Sequence, residues 1–315
     1  MNKKYKMDRI LIGYLNDGRR IKHLNYMCKF LSQSTYCDKY TIIILSSENT
    51  TLNICKEIIE KYNIDCVLST CQSDYMPKIK EFVNYAVSNK YTYCFKMDND
   101  IILPPYIFDY IYKEIYNLPE NIGILLPCLY TSIPSAEYFI QDFLTHEEQS
   151  TMYKLFESFR YSGEFRNLNA VYPSKWSLES YFNMVEKMSS PNQGVYKAIH
   201  PIRFFKEATI KINEYAIKHR DSFFSPPNTP TLYVPDSPHY FMPQTFIMKT
   251  ELLKNVFDSG LAYDSYDEVT LNRLIRREGK KIAFIRNCFG IHIAHNGYMT
   301  DFMNFEEIVL DRLFE

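Results

Sequence analysis

The chain has 315 residues, 46% of them hydrophobic and 23% charged, which excludes global disorder and supplies a core for one large α/β unit or two ordinary domains. Thirty-six Lys and Arg against 37 Asp and Glu leave a formal net charge of −1, so the electrostatic footprint of a dedicated nucleic-acid binder is missing.

From the N-terminus, strand and helix signals alternate. Arg9 to Tyr14 (RILIGY) reads as a short buried strand, and Ile21 to Ser32 carries helical spacing through Leu24, Met27, Cys28 and Leu31. Tyr40 to Leu45 (YTIIIL) is β-branched and continuous, as a parallel strand covered on both faces requires. A helix over Leu52 to Tyr62, a strand over Ile64 to Leu68, a helix over Met76 to Ser88 and a strand over Tyr91 to Met97 (YTYCFKM) follow. Pro104 to Tyr116 reads as a helix and Ile122 to Leu126 as a strand, so the first 130 residues predict βαβ units and a parallel sheet.

Residues 131–225 break this rhythm. Helical periodicity over Ala136 to Phe159, Leu178 to Met188 and Phe204 to His219 predicts an inserted, mostly helical lobe, with its aromatic residues facing the lobe's own core. Six prolines between Pro226 and Pro243 predict a semi-rigid loop returning to the sheet. Gln244 to Met248, Lys281 to Ile285 and Phe289 to Ile293 read as strands. Asp267 to Glu278 reads as a helix closed by Gly279 at the C′ position, and Phe302 to Leu313 as an amphipathic closing helix.

The nine glycines exclude the usual phosphate loops: no G-x-G-x-x-G occurs, and Gly279-Lys280 lacks both the upstream Gly and the following Ser or Thr of a Walker A loop. None of the eight cysteines forms C-x-x-C, which argues against a structural zinc site and for thiols in a reducing compartment. The basic start MNKKYKMDR precedes only ILIGYL, too short for a signal peptide, and no apolar stretch approaches 18 residues, so a cytoplasmic protein is expected. The surplus of 27 Tyr suits hydroxyl-rich ligands, although biased codon usage explains it as well.

The chemistry concentrates at Asp98-Asn99-Asp100, directly after YTYCFKM. Carboxylates at i and i+2 beyond an extended segment share a side, and the carboxyl edge of a parallel sheet is where open α/β folds bind ligands. Two like charges there call for a cation, and a hard divalent ion such as Mn2+ or Mg2+ meets that need while binding phosphate oxygens.

With these residues in view, KMDNDIILPPYIFDYI resembles the D-x-D segment of GT-A glycosyltransferases, family 2-like members in particular. IGYLNDGRRIKHLNYMCKFLSQS is similar to that family's opening strand, Asn-containing loop and helix. KIKEFVNYAVSNKYTYCFKMDND resembles the helix before the metal motif, with Asn84 at the family's Asn. AYDSYDEVTLNRLIRREGKKIAFIRNCFGIHIAHNG resembles the acidic helix start, the following strand and a terminal His. The order and spacing of these loose motifs carry the resemblance, over about residues 9–130 and 240–298.

The resemblance implies an α/β, GT-A (Rossmann-like) fold: a mixed, mostly parallel sheet flanked by helices, with an inserted helical lobe. Residues 1–130 would be the nucleotide-sugar-binding half, 131–238 the acceptor-side lobe, and 239–315 the C-terminal half with the acidic pair, terminal His and closing helix. The implied activity is metal-dependent transfer of a sugar from a nucleoside-diphosphate sugar to a hydroxyl acceptor, a glycan or another. Asp98 and Asp100 would hold the metal, completed by His292 or His295. Glu268 or its neighbour Asp267 would be the base of an inverting reaction, the alternative being carboxylates that complement a helix dipole. Tyr14, Asn16 and Asp17 are candidates for base and ribose, Lys78 (with Lys80) for phosphates, and Asn84 and Asn99 for the donor. Where many members carry an Asp after the second strand, this chain reads Ser46-Ser47-Glu48, so Glu48 is the candidate there. A retaining GT-A enzyme, a nucleotidyltransferase, a transferase acting on modified nucleic acid and a non-catalytic nucleotide-sugar-binding module are the alternatives.

Overall fold

The computed structural model describes residues 9–16, 18–72, 74–132, 135–160, 170–171, 197–198, 201–235, 244–258, 271, 275, 277–293 and 302–315. The chain divides into two compact units, one of residues 1–127, 230–234 and 243–285, the other of residues 128–229, 235–242 and 286–315. Among the described residues no helix is long and apolar enough to cross a membrane.

The chain opens with β1 (Ile10–Leu15), α1 (Ile21–Gln33), β2 (Tyr40–Ser46), α2 (Asn49–Lys61), β3 (Cys66–Thr70), α3 (Tyr75–Ser88), β4 (Tyr93–Asp98) and a two-residue β5 (Ile101–Ile102). It continues with α4 (Pro105–Ile115), β6 (Ile122–Leu129), α5 (Ser135–Phe143), α6 (His146–Arg160), the short pair β7 (Ala170–Val171) and β8 (Lys197–Ala198), and α7 (Pro201–Phe204). The remainder is α8 (Lys206–Lys218), α9 (Asp221–Phe224), β9 (Thr231–Tyr233), β10 (Thr245–Lys249), α10 (Thr250–Asp258), β11 (Lys281–His292) and α11 (Phe302–Phe314).

The main sheet has the order β3-β2-β1-β4-β10-β6-β11-β5, with β9 paired to β11. Strands β1 and β2 are buried at every position, and apart from Thr41 and Ser46 their sequences are apolar, as suits strands covered on both faces. β1 pairs in parallel with β2 and with β4, β2 in parallel with β3, and β10 runs antiparallel to β4 and β6. The result is the mixed, mostly parallel, helix-flanked sheet of the GT-A, Rossmann-like type. Helix α1 faces the core with Leu24, Met27, Cys28 and Leu31, the residues whose spacing predicts it, and α4 starts with Pro105 in its first turn, where a missing N–H costs nothing. At Gly13 of β1 the backbone passes so close to the Phe82 ring of α3 that an added Cβ would stand 2.7 Å from it.

Two differences from the sequence-based expectations have local causes. The helix expected over Ala136 to Phe159 is two helices, because Thr145 begins a new one. Its Oγ1 accepts from the Glu148 backbone N–H (3.4 Å), and Glu148 Oε2 accepts from the Thr145 backbone N–H (2.9 Å) and hydroxyl (3.0 Å), a reciprocal capping box. The strands expected on either side of Arg286-Asn287 are one strand: Arg286 makes a bidentate pair with Asp142 (2.6 and 2.8 Å) over the Tyr138 ring, and Asn287 takes a φ of +63°, which Asn tolerates. Helix α10 has no counterpart among the expected elements, and β9 lies within the proline-rich stretch. The helix expected over Leu178 to Met188 lies outside the described residues. Of the one expected over Asp267 to Glu278, Leu271 and Ile275 are described, helical and buried. Gly279 takes the φ of +62° that a C′ residue needs.

The second unit packs Phe139 against Tyr130, Phe223 and Phe289, with ring centroids 5.4–5.8 Å apart. Glu148 there also receives Lys218 (2.7 Å) and His219 (2.8 Å) from the end of α8. Burial alone would raise the Glu148 carboxyl, but hydrogen bonds from Lys218, Thr145 and His219 outweigh it and bring it from 4.5 to about 2. A depressed carboxyl stabilises the fold above its unfolded value, so this contribution is whole above pH 4.5 and is lost as the pH falls towards about 2. Glu148→Gln is expected to cost roughly 1–2 kcal/mol at neutral pH. Urea melts of the two proteins from pH 7 down to the acid limit should show the difference closing below the ordinary carboxyl range. A constant gap would locate its origin in shape, not charge.

Candidate active site at the carboxyl edge of the sheet

The register of the first unit assembles the site. Leu15 stands opposite both Leu45 and Asp98, so β1, β2 and β4 end level with one another. The segments that follow, beginning at Asn16, Ser47 and Asn99, leave the sheet at that edge. With β2 on one side of β1 and β4 on the other, this is a topological switch point, the place where open α/β sheets take ligands.

Buried polar contacts hold the loops. The Asn16 backbone N–H continues the ladder to the Leu45 carbonyl (3.0 Å), its Oδ1 accepts from Gly18 N–H (2.9 Å), and its Nδ2 donates to Cys55 Sγ (2.8 Å). Lys78, expected to meet phosphates, is buried and donates to the Asn16 carbonyl (3.1 Å), so it secures the turn from beneath. Gly18 has a φ of +82°, and a Cβ there would lie 2.9 Å from Thr51 Oγ1 and 3.5 Å from Glu48 Oε2. The Glu48 carboxylate therefore sits beside the first loop, solvent-exposed and accepting from the Thr51 hydroxyl (3.0 Å).

Tyr14 is fully buried, and its hydroxyl donates to the Asn99 carbonyl (3.0 Å), tying the first strand to the D-N-D turn. Burial, then nearby Cys28, Asp100 and Cys55, push its phenol well above the ordinary value, so it stays protonated as a donor. The Asn99 side chain is buried too and accepts from Arg20 (3.4 Å). Asn84 and Lys80 are exposed on α3.

Sequence reasoning missed two residues. Lys96 lies within apolar β4, with its side chain 1% exposed and its ammonium 2.7 Å from Asp98 Oδ1; Arg20 lies 3.9 Å from Asp100 Oδ2. A lysine flanked by Phe95 and Met97 in a buried strand was the available signal, since lysine is almost never fully buried without a partner. Each aspartate thus has an internal cation beside it, which relieves the repulsion that two adjacent carboxylates carry. Both aspartates reach solvent, Asp98 with 28% and Asp100 with 17% of its side chain exposed. Among the described residues no three His, Cys, Asp or Glu side chains converge. A hard divalent cation would need only one or two such carboxylates, with water and phosphate oxygens in its other positions.

His292, in the second unit, is held by Thr131. The Thr131 hydroxyl donates to the His292 carbonyl (2.5 Å) and stands 2.7 Å from Nδ1 of the ring, so Thr131 holds both the backbone and the imidazole of His292. Asp17, Asp267, Glu268 and His295 lie outside the described residues.

No protein-family profile matches the sequence, and no curated protein matches it. Similar solved structures include a cytidylyltransferase from Leptospira borgpetersenii, 16% identical over 39% of this chain and 54% of that one, with a TM-score of 0.32. Another is TarS from S. aureus in complex with UDP-GlcNAc, 10% identical over 94% of this chain and 60% of that one, with a TM-score of 0.46. A third is 4-diphosphocytidyl-2C-methyl-D-erythritolsynthase from Anaerococcus prevotii, 11% identical over 99% of this chain and all of that one, with a TM-score of 0.45. The chain spans about half the length of the first of these. The likeness extends no further than the arrangement of strands and helices.

Proposed function

We propose that the protein is a glycosyltransferase that moves a sugar from a nucleoside-diphosphate donor to a hydroxyl acceptor with the help of a divalent cation. The observation that carries this reading is the level ending of β1, β2 and β4, which puts an exposed carboxylate, Glu48, and the Asp98-Asn99-Asp100 turn on one edge at the switch point. In this reading Glu48 accepts from ribose hydroxyls, and Asp98 and Asp100 hold the cation. The cation supplies Lewis-acid stabilisation of the diphosphate as the glycosidic bond breaks. Tyr14, Asn16, Lys78 and Arg20 hold the two loops at the spacing the donor needs and are positioning residues. Glu268 or Asp267 takes the proton of the acceptor hydroxyl, which makes the reaction inverting; that assignment, and a metal-ligating role for His292 or His295, rest on the resemblance of the sequence.

The test is a panel of UDP-, GDP-, dTDP- and CDP-sugars, each with Mn2+ and with EDTA, read by thermal shift and by release of nucleoside diphosphate. One nucleotide class at about a hundred times its dissociation constant should stabilise the fold by ~2.7 kcal/mol, a rise of several degrees in Tm that EDTA removes. A chain indifferent to every donor and to EDTA would defeat the proposal.

A further inference from the structure

Lys96 and Asp98 stand two apart on one face of β4, and their charged groups are 2.7 Å apart. The lysine is sealed inside while the aspartate reaches solvent, so the ammonium lies on the inner side of the carboxylate. On the other flank Arg20 stands beside Asp100. Each carboxylate of the turn thus has a built-in positive charge beside it. A bare divalent ion arriving at Asp98 meets the repulsion of a nearby ammonium. A diphosphate arriving with it supplies the missing negative charge.

Resting on the reading above that Asp98 and Asp100 take a divalent cation, we propose that Lys96 is an internal counter-ion which that cation must displace from Asp98, so that tight metal binding waits for the donor's diphosphate. The ammonium has two further contacts besides Asp98: it donates to the Gln244 carbonyl (3.3 Å) and lies 5.4 Å from the Tyr75 ring centroid. Lys96 keeps these when the cation takes Asp98. Because such coupling is reciprocal, the nucleotide tightens the metal by the same factor as the metal tightens the nucleotide.

The experiment is Mn2+ titration followed by the electron paramagnetic resonance signal of the free ion, with no turnover involved. Wild type, Lys96→Met and Lys96→Met/Asp98→Asn are compared alone and with UDP or GDP, circular dichroism confirming the fold. Lys96→Gln serves in place of Lys96→Met if the latter melts early. Wild type should bind Mn2+ weakly alone and at least tenfold more tightly with nucleotide. The Lys96 variant should bind Mn2+ alone at least tenfold more tightly than wild type and gain less from nucleotide, and the added Asp98→Asn change should erase the gain. Equal Mn2+ affinity in wild type and the Lys96 variant, with the added Asp98→Asn change weakening it, overturns the counter-ion role and leaves the cation site standing. No Mn2+ binding by either protein, with or without nucleotide, overturns both.

Discussion

Asp98→Asn and Asp100→Asn are each expected to lower donor turnover by about 100- to 1,000-fold, the cost of losing a group that places charge against a leaving group in the transition state. The two substitutions should differ in what they do to the fold. Asp98→Asn leaves the Lys96 ammonium buried without its carboxylate, which typically destabilises by about 3 kcal/mol. Asp100→Asn removes a partner 3.9 Å from Arg20, a longer contact, and should melt near wild type. The double variant Lys96→Met/Asp98→Asn removes both charges together, so most of the lost stability should return while turnover stays low. Turnover and urea melts of the same four proteins separate the two effects. If turnover returned along with stability in the double variant, Asp98 would be a partner for Lys96 and nothing more.

Gly13→Ala is expected to destabilise the first unit by about 1–3 kcal/mol, at the upper end because its neighbour is a ring and not a flexible chain end. The added Cβ would stand 2.7–2.8 Å from three atoms of the Phe82 ring, which is itself fully buried. Either the ring leaves its rotamer or α3 moves off β1, and α3 carries Lys78, whose ammonium holds the Asn16 carbonyl. The Tm should fall by several degrees. Phe82→Leu in the same chain should recover part of the loss, because the smaller side chain yields space where the methyl enters. A Gly13→Ala protein with an unchanged Tm would mean that the ring shifts freely.

Much of the first unit was legible because its strands are continuous apolar runs and its helices have helical spacing, and these two periods do not imitate each other. What was not legible depended on contacts between distant residues. The break at Thr145 required its exchange of hydrogen bonds with Glu148, a T-x-x-E pattern hidden within continuous helical spacing. The persistence of β11 through Arg286-Asn287 required Asp142, 144 positions earlier in the chain. At the site, the order of motifs drew attention to Asp98 and Asp100. Lys96 and Arg20 escaped notice because a charged residue in a sequence does not announce its partner. Tyr14, Asn16 and Lys78 stand out in the sequence as polar groups near a loop. Their burial is visible only in three dimensions, and so are the hydrogen bonds by which they hold the loops.

The antiparallel strand β10 carries a consequence for synthesis. The Gln244 carbonyl that precedes it accepts both the Asp98 backbone N–H (3.0 Å) and the Lys96 ammonium (3.3 Å), across a sequence separation of 148 for the latter. While the ribosome is still making the inserted stretch, β4 therefore has one edge bare, and the turn that ends it lacks this anchor. Bare strand edges recruit other chains. The nascent protein is thus most exposed to misassembly in the interval before residue 249 emerges, and that is when a chaperone would be needed.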